Sequence, residues 1–271
     1  MSYADVNGLS LYYEEHGSGD VPLILLHGGF GAAELYGPII PALAAQRRVI
    51  AVDLQGHGRT ADIDRPLRPE DMADDIAALI AHLGAEEADV MGYSLGGLVG
   101  LRTAIQHPDR VRRLVLVSIP FRRDGSYPEV VATMDQMGPE VADALRPSPL
   151  GELYARSAPR PEDWPVLVAK TTDLLKVDYD WTAETEAMTT PTMLVYADAD
   201  SVRPAHIVEF YGLLGGGHRD AAWDGSQRPV TRLAILPGTT HYDVSACPAL
   251  VPTVLPFLEA DSVQPPASHG A

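Results

Sequence analysis

Short apolar runs alternate with stretches of helical spacing along most of the chain. Residues 9–15 alternate apolar and polar positions as a half-exposed strand does, and the Gly-rich residues 17–20 turn the chain back. Residues 21–26 are an apolar run, the mark of a strand buried on both faces of a parallel sheet. Further runs at 48–52, 88–91, 114–117, 191–196 and 233–236 read as strands too. Helices are predicted between them at 32–45, 69–83, 95–107, 204–214 and 248–259. In the second of these, Met72, Ile76, Leu79, Ile80 and Leu83 recur at helical spacing, Glu70 and Asp71 sit in the first turn, and Gly84 lies past the end. Strands alternating with helices of this size predict an α/β fold around a mostly parallel, doubly wound sheet.

The rhythm breaks over residues 119–190. Proline recurs at Pro120, Pro128, Pro139, Pro147, Pro149, Pro159, Pro161 and Pro165, and the pieces between have helical composition. Proline starts helices and forbids long ones, so four or five short helices are expected here. The predicted organisation is a core of residues 1–118 and 191–260, a helical cap of 119–190 over the carboxyl ends of the strands, and a disordered tail of 261–271. About 70 residues of short helices make a poor independent core, which argues against a separate accessory domain.

Charge and composition narrow the function. A formal net charge of -17 argues against binding nucleic acid or an anionic membrane, both of which need a positive patch. The densest basic group, Arg110, Arg112 and Arg113, falls at a helix-to-strand junction and reads as a solvated edge. The lone Cys247 cannot form an internal disulfide, which suits the cytoplasm. No basic region followed by an apolar run opens the sequence, and no stretch approaches the ~20 apolar residues of a membrane span, so a cytoplasmic protein is expected.

The chemistry is concentrated in Gly92-Tyr93-Ser94-Leu95-Gly96-Gly97, a G-x-S-x-G sequence between a strand and a helix. A serine on such a sharp turn projects its hydroxyl from the sheet edge, and the flanking glycines keep Cβ atoms out of the turn. A serine hydroxyl is a weak nucleophile until a base takes its proton and an acid holds that base in the right tautomer. His241 follows the last predicted strand in a Gly-containing turn and is the candidate base; Asp200 follows the preceding one and is the candidate acid. Asp198, Asp224 and Asp243 are alternatives for the acid. The attacked carbonyl oxygen needs donors already in place: the Leu95 N–H is one, and Gly29 or Phe30, in the loop after the strand at 21–26, supplies the other. His27 and His57 read as loop-fixing histidines. With no His-x-His-x-Asp-His run and no His-Glu-x-x-His pair, neither a metal nor another cofactor is expected.

His27-Gly28-Gly29, Asp53 with Gly56-His57-Gly58, the serine turn, Ala197-Asp198-Ala199-Asp200, and Pro237-Gly238 with His241 resemble, in order, the landmarks of the α/β-hydrolase superfamily. The resemblance covers about residues 9–259. It implies an eight-stranded sheet with one antiparallel strand near the start, flanking helices, an inserted helical cap, and an acyl-enzyme formed on the serine and released by water. Ala197 departs from the glycine that many members carry. Serine at the turn argues against the dehalogenase and epoxide hydrolase branches, which use aspartate. The chain looks most similar to small bacterial esterases, including those that open N-acyl homoserine lactones without metal. The expected partner is a small-molecule ester or lactone. Rival expectations are C–C bond hydrolysis or peracid formation by the same residues, and a non-catalytic receptor on the same fold.

Overall fold

In the computed structural model, which describes residues 2–260, the predicted alternation becomes one eight-stranded sheet. The elements run β1 Ser2–Val6, β2 Leu9–His16, β3 Leu23–Leu26, α1 Ile40–Ala44, β4 Val49–Val52, α2 Pro69–His82, β5 Ala88–Tyr93, α3 Leu95–Gln106 and β6 Val111–Val117. The stretch between β6 and the next strand holds five α-helices: α4 Pro128–Gln136, α5 Val141–Leu145, α6 Pro149–Ser157, α7 Trp164–Lys176 and α8 Thr182–Glu186. The chain then returns to the sheet through β7 Thr192–Ala199, α9 Pro204–Leu213, β8 Arg232–Thr240 and α10 Leu250–Leu258. Strand order is β1-β2-β4-β3-β5-β6-β7-β8. Only β2 runs against the rest, antiparallel to both β1 and β4.

Side chains alternate across a strand, so a strand that is apolar throughout feeds two cores at once. Ile24, Leu26, Ile50, Val52, Val90, Leu114, Leu116 and Leu194 pack on one face with α2, α3 and α9. Leu23, Leu25, Val49, Ala51, Met91, Val115, Met193 and Val195 pack on the other with α1 and α10.

Two expectations need correction. The helix read over 32–45 is broken: a 3₁₀ turn, Ala33–Tyr36, is followed by Gly37 and Pro38 before α1 begins at Ile40. Proline at 38 has no N–H to carry a helix through that point. The pattern also missed β1, whose five residues contribute only Ala4 and Val6 to the core. Its signal was the Asn7-Gly8 pair, at φ 48° and 81°, which makes a tight hairpin with Val6 opposite Leu9. The tail expected to be disordered, 261–271, lies outside the described residues.

Candidate active site

Ser94 stands between β5 and α3 at φ 51° and ψ -120°, a conformation that costs a non-glycine residue on the order of 1–3 kcal/mol. The glycines around it are needed for space. A Cβ on Gly92 would lie 2.1 Å from the Gly96 carbonyl oxygen, and one on Gly96 would lie 2.1 Å from that of Leu26. The Gly96 N–H donates to the His27 carbonyl at 2.9 Å, so the serine turn is bonded directly to the end of β3.

The loop after β3 is held just as firmly. His27 is buried; its Nε2 accepts the Leu54 N–H at 3.1 Å, which leaves Nδ1 to donate to the Gly28 carbonyl at 2.7 Å. Burial pushes the imidazole down to about 4. His57 is buried beside it, pushed down to about 3 by burial and by His27. The Asp53 carboxylate accepts the Ala33 and Arg59 N–H groups, each at 2.7 Å, and so joins this loop to the one after β4. The outcome is that Gly28, Gly29 and Phe30 are fixed beside the serine: a Cβ on Gly28 would lie 3.4 Å from Ser94 Cβ. Phe30 takes φ 61° and packs against Trp164 of α7, ring centroids 6.0 Å apart. Leu95 is the first residue of α3, where N–H groups have no partner within the helix.

Three distant side chains meet at the carboxyl end of the sheet. His241 Nε2 is 3.3 Å from Ser94 Oγ, and His241 Nδ1 is 3.3 Å from Asp200 Oδ1. Both separations are longer than a tight hydrogen bond, as is common before substrate binds. With Nδ1–H facing the carboxylate, Nε2 keeps a lone pair for the serine proton. Burial alone would raise Asp200, but bonds from His241, Ser118 and the Ala197 N–H outweigh it and hold the carboxyl below its ordinary value.

The alternative carboxylates are engaged elsewhere. Asp198 accepts the Gly238 and Thr239 N–H groups at 2.9 and 3.1 Å, and so braces the loop leading to His241. Asp243 accepts the Thr240 N–H at 2.6 Å, and Asp224 that of Ser226 at 3.0 Å.

Three neighbours escaped the sequence reading. Ser118, wholly buried at φ 53°, donates its hydroxyl to Asp200 Oδ2. Ser201 Oγ lies 3.0 Å from His241 Nδ1, nearer than the carboxylate. Tyr93 donates to the His241 carbonyl at 2.7 Å and fixes the main chain that carries the imidazole. Ser118 ends β6 as Ser94 ends β5, and that shared position was the available signal.

Among the described residues, no group of three or more His, Cys, Asp or Glu side chains is arranged to hold a metal ion, and no helix is long and apolar enough to cross a membrane. The stretch between β6 and β7 is tied to the loops at the carboxyl ends of β3 and β4. Lys170 reaches Asp62 and the carbonyls of Ile63 and Arg65, the latter two at 2.8 Å, and Arg156 reaches Glu34 at 2.6 Å.

Residues 21–152 match the alpha/beta hydrolase fold family. The putative carbamate hydrolase RutD of Azorhizobium caulinodans is 40% identical over 125 residues, 46% of this chain and 47% of that protein. A soluble epoxide hydrolase of Corynebacterium sp. is 39% identical over 137 residues, 48% of this chain and 46% of that protein. The matched segment thus spans about half the length of these curated relatives. Among solved structures, the enol-lactonase of Burkholderia xenovorans LB400 superposes with a TM-score of 0.73 at 21% identity, covering 95% of this chain and 100% of that one. An E-2-(acetamidomethylene)succinate hydrolase gives 0.73 at 23% identity, covering 95% and 98%. The chain therefore matches the alpha/beta hydrolase fold family over residues 21–152 and shares the fold of these solved hydrolases over 95% of its length, and that fold carries many chemistries.

Proposed function

We propose that this chain is a metal-independent serine hydrolase of carboxylic esters, lactones included. The observation that carries the reading is the line from Ser94 Oγ through both ring nitrogens of His241 to Asp200, at 3.3 Å and 3.3 Å. In this mechanism Ser94 Oγ bonds to the substrate's carbonyl carbon while its proton passes to His241 Nε2. The Leu95 N–H, with the main chain of Gly29 or Phe30, stabilises the oxyanion. Collapse breaks the bond to the leaving oxygen, which takes the proton from Nε2. Water then attacks the acyl-enzyme and gives a proton to His241 Nε2; collapse breaks the acyl–Oγ bond, Ser94 Oγ takes that proton back, and the acid is released. Asp200 keeps Nδ1 protonated and steadies the imidazolium.

Residues 119–190 act in this reading as a cap. Support comes from the contacts of α6 and α7 with the loops at 27–36 and 53–65, including Phe30 against Trp164. The relatives' names add one substrate class to try, since a carbamate presents the same kind of carbonyl to a serine.

The test is turnover of a panel of acyl esters, lactones of varied chain length, a carbamate and a vinylogous diketone, by wild type and Ser94→Ala, with and without a chelator. Ester or lactone turnover that vanishes in Ser94→Ala and ignores the chelator supports the reading. Ester turnover retained by Ser94→Ala, or abolished by the chelator, overturns it.

A further inference from the structure

Helix α7 buries a stripe made of Trp164, Leu167, Val168, Thr171 and Thr172, and Thr171, 2% exposed, is one of its two polar members. The Thr171 hydroxyl has no hydrogen-bond partner. Thr185 of α8 shares this condition, but four other helical threonines dispose of their hydroxyls locally. Thr103, Thr133 and Thr253 each donate to the carbonyl four residues back, at 2.8, 2.8 and 2.7 Å, and the neighbouring Thr172 donates to Ala169 at 2.9 Å. A buried hydroxyl with no partner is costly, and such a group in a native interior calls for an explanation.

Its location supplies one. The Thr171 methyl lies 3.7 Å from where a Cβ on Gly29 would stand, and Gly28, the next residue, faces Ser94. The side chain that carries the unpaired hydroxyl is therefore beside the loop read above as part of the oxyanion hole, on the side from which the inserted helices approach. The charge nearby is already committed. Lys170, next in the helix, is engaged with Asp62 and two main-chain carbonyls, so a bound group at Thr171 meets a neutral donor.

We propose that Thr171 is a specificity-determining residue whose hydroxyl donates to a neutral carbonyl oxygen in the acyl part of the substrate. The preferred substrates are then esters or lactones with a keto or amide carbonyl close to the scissile one. This inference rests on the serine-hydrolase reading.

The experiment compares ethyl 3-oxobutanoate with ethyl butanoate, which have the same chain length, on wild type, Thr171→Val, Thr171→Ser and Ser94→Ala. Thr171→Val is expected to lower kcat/KM for the 3-oxo ester at least tenfold and for the plain ester less than twofold, while Thr171→Ser keeps the wild-type ratio. Because valine removes an unpaired polar atom, the melting temperature of Thr171→Val should equal or exceed that of wild type. Equal losses on both esters, no loss on either, or a lower melting temperature would overturn the proposal. Turnover that survives Ser94→Ala, or a wild type that cleaves neither ester, overturns instead the reading on which it rests.

Discussion

Ser118 is, after His241, the strongest side-chain partner of the Asp200 carboxylate. It holds a left-handed backbone angle that glycine would adopt at less cost, and its hydroxyl is bonded to Asp200 Oδ2. A hydrogen bond to a charged group is worth about 1.5–3 kcal/mol, so Ser118→Ala should lower kcat/KM for esters roughly 10- to 100-fold with KM little changed. Ser118→Gly loses the same hydroxyl but relieves the backbone, and should be as slow as the alanine variant yet more stable by about 1 kcal/mol. Full activity in both variants would remove Ser118 from the account. Ser94, Asp200 and His241 were legible because each lies within a few residues of the end of an apolar run and is of a chemically loaded type. Ser118 and Ser201 sit in equivalent places, but serine is a common loop residue, and their value lies in a geometry that only the folded sheet creates. Thr171 was hidden for a different reason, since nothing in a helical pattern reveals that one hydroxyl fails to bond to its own helix.

At the scale of elements, strands were read most clearly where they are buried on both faces, as in β3 and β4, whose residues are all fully apolar and inaccessible. Legibility failed where burial is one-sided or broken: in β1, with two core residues, and in the segment interrupted at Pro38. Where the inserted helices rest was not readable either, because it depends on long-range ties such as Lys170 to Asp62, 108 residues away. That tie makes a prediction. Lys170→Met keeps most of the side chain's length and removes all three of its hydrogen bonds, which should loosen α7 without disturbing α3. Hydrogen exchange should show protection of α7 amides falling roughly 10- to 100-fold while those of α3 are unchanged. Equal protection in both proteins would mean that apolar contacts such as Phe30 with Trp164 hold the helices alone.

Over the whole molecule, three buried imidazoles set the acid side of stability. Burial pushes His27, His57 and His206 down to about 4, 3 and 4, whereas in the unfolded chain they titrate near 6.5. Below about pH 6.5 the unfolded state therefore binds more protons than the native one, and stability falls as pH falls. Each fully shifted histidine contributes up to ~1.4 kcal/mol per pH unit in this window. Asp53 and Asp75, which burial raises, act in the opposite sense, but they are two groups against three. Between pH 6.5 and 5 the histidines win. Denaturant unfolding should show a steady loss of stability across that interval, with a shallower slope in His206→Gln, which keeps an acceptor for the Phe121 N–H. A flat profile, or an unchanged slope in the variant, would contradict this assignment.

The most direct measurement is covalent capture of the nucleophile, read by intact mass and peptide mapping after brief exposure to a fluorophosphonate. One adduct per chain is expected, on Ser94, absent in Ser94→Ala and formed at least a hundredfold more slowly in His241→Asn. Labelling at another residue, or an adduct that forms as fast without the His241 imidazole, would contradict the serine-hydrolase reading.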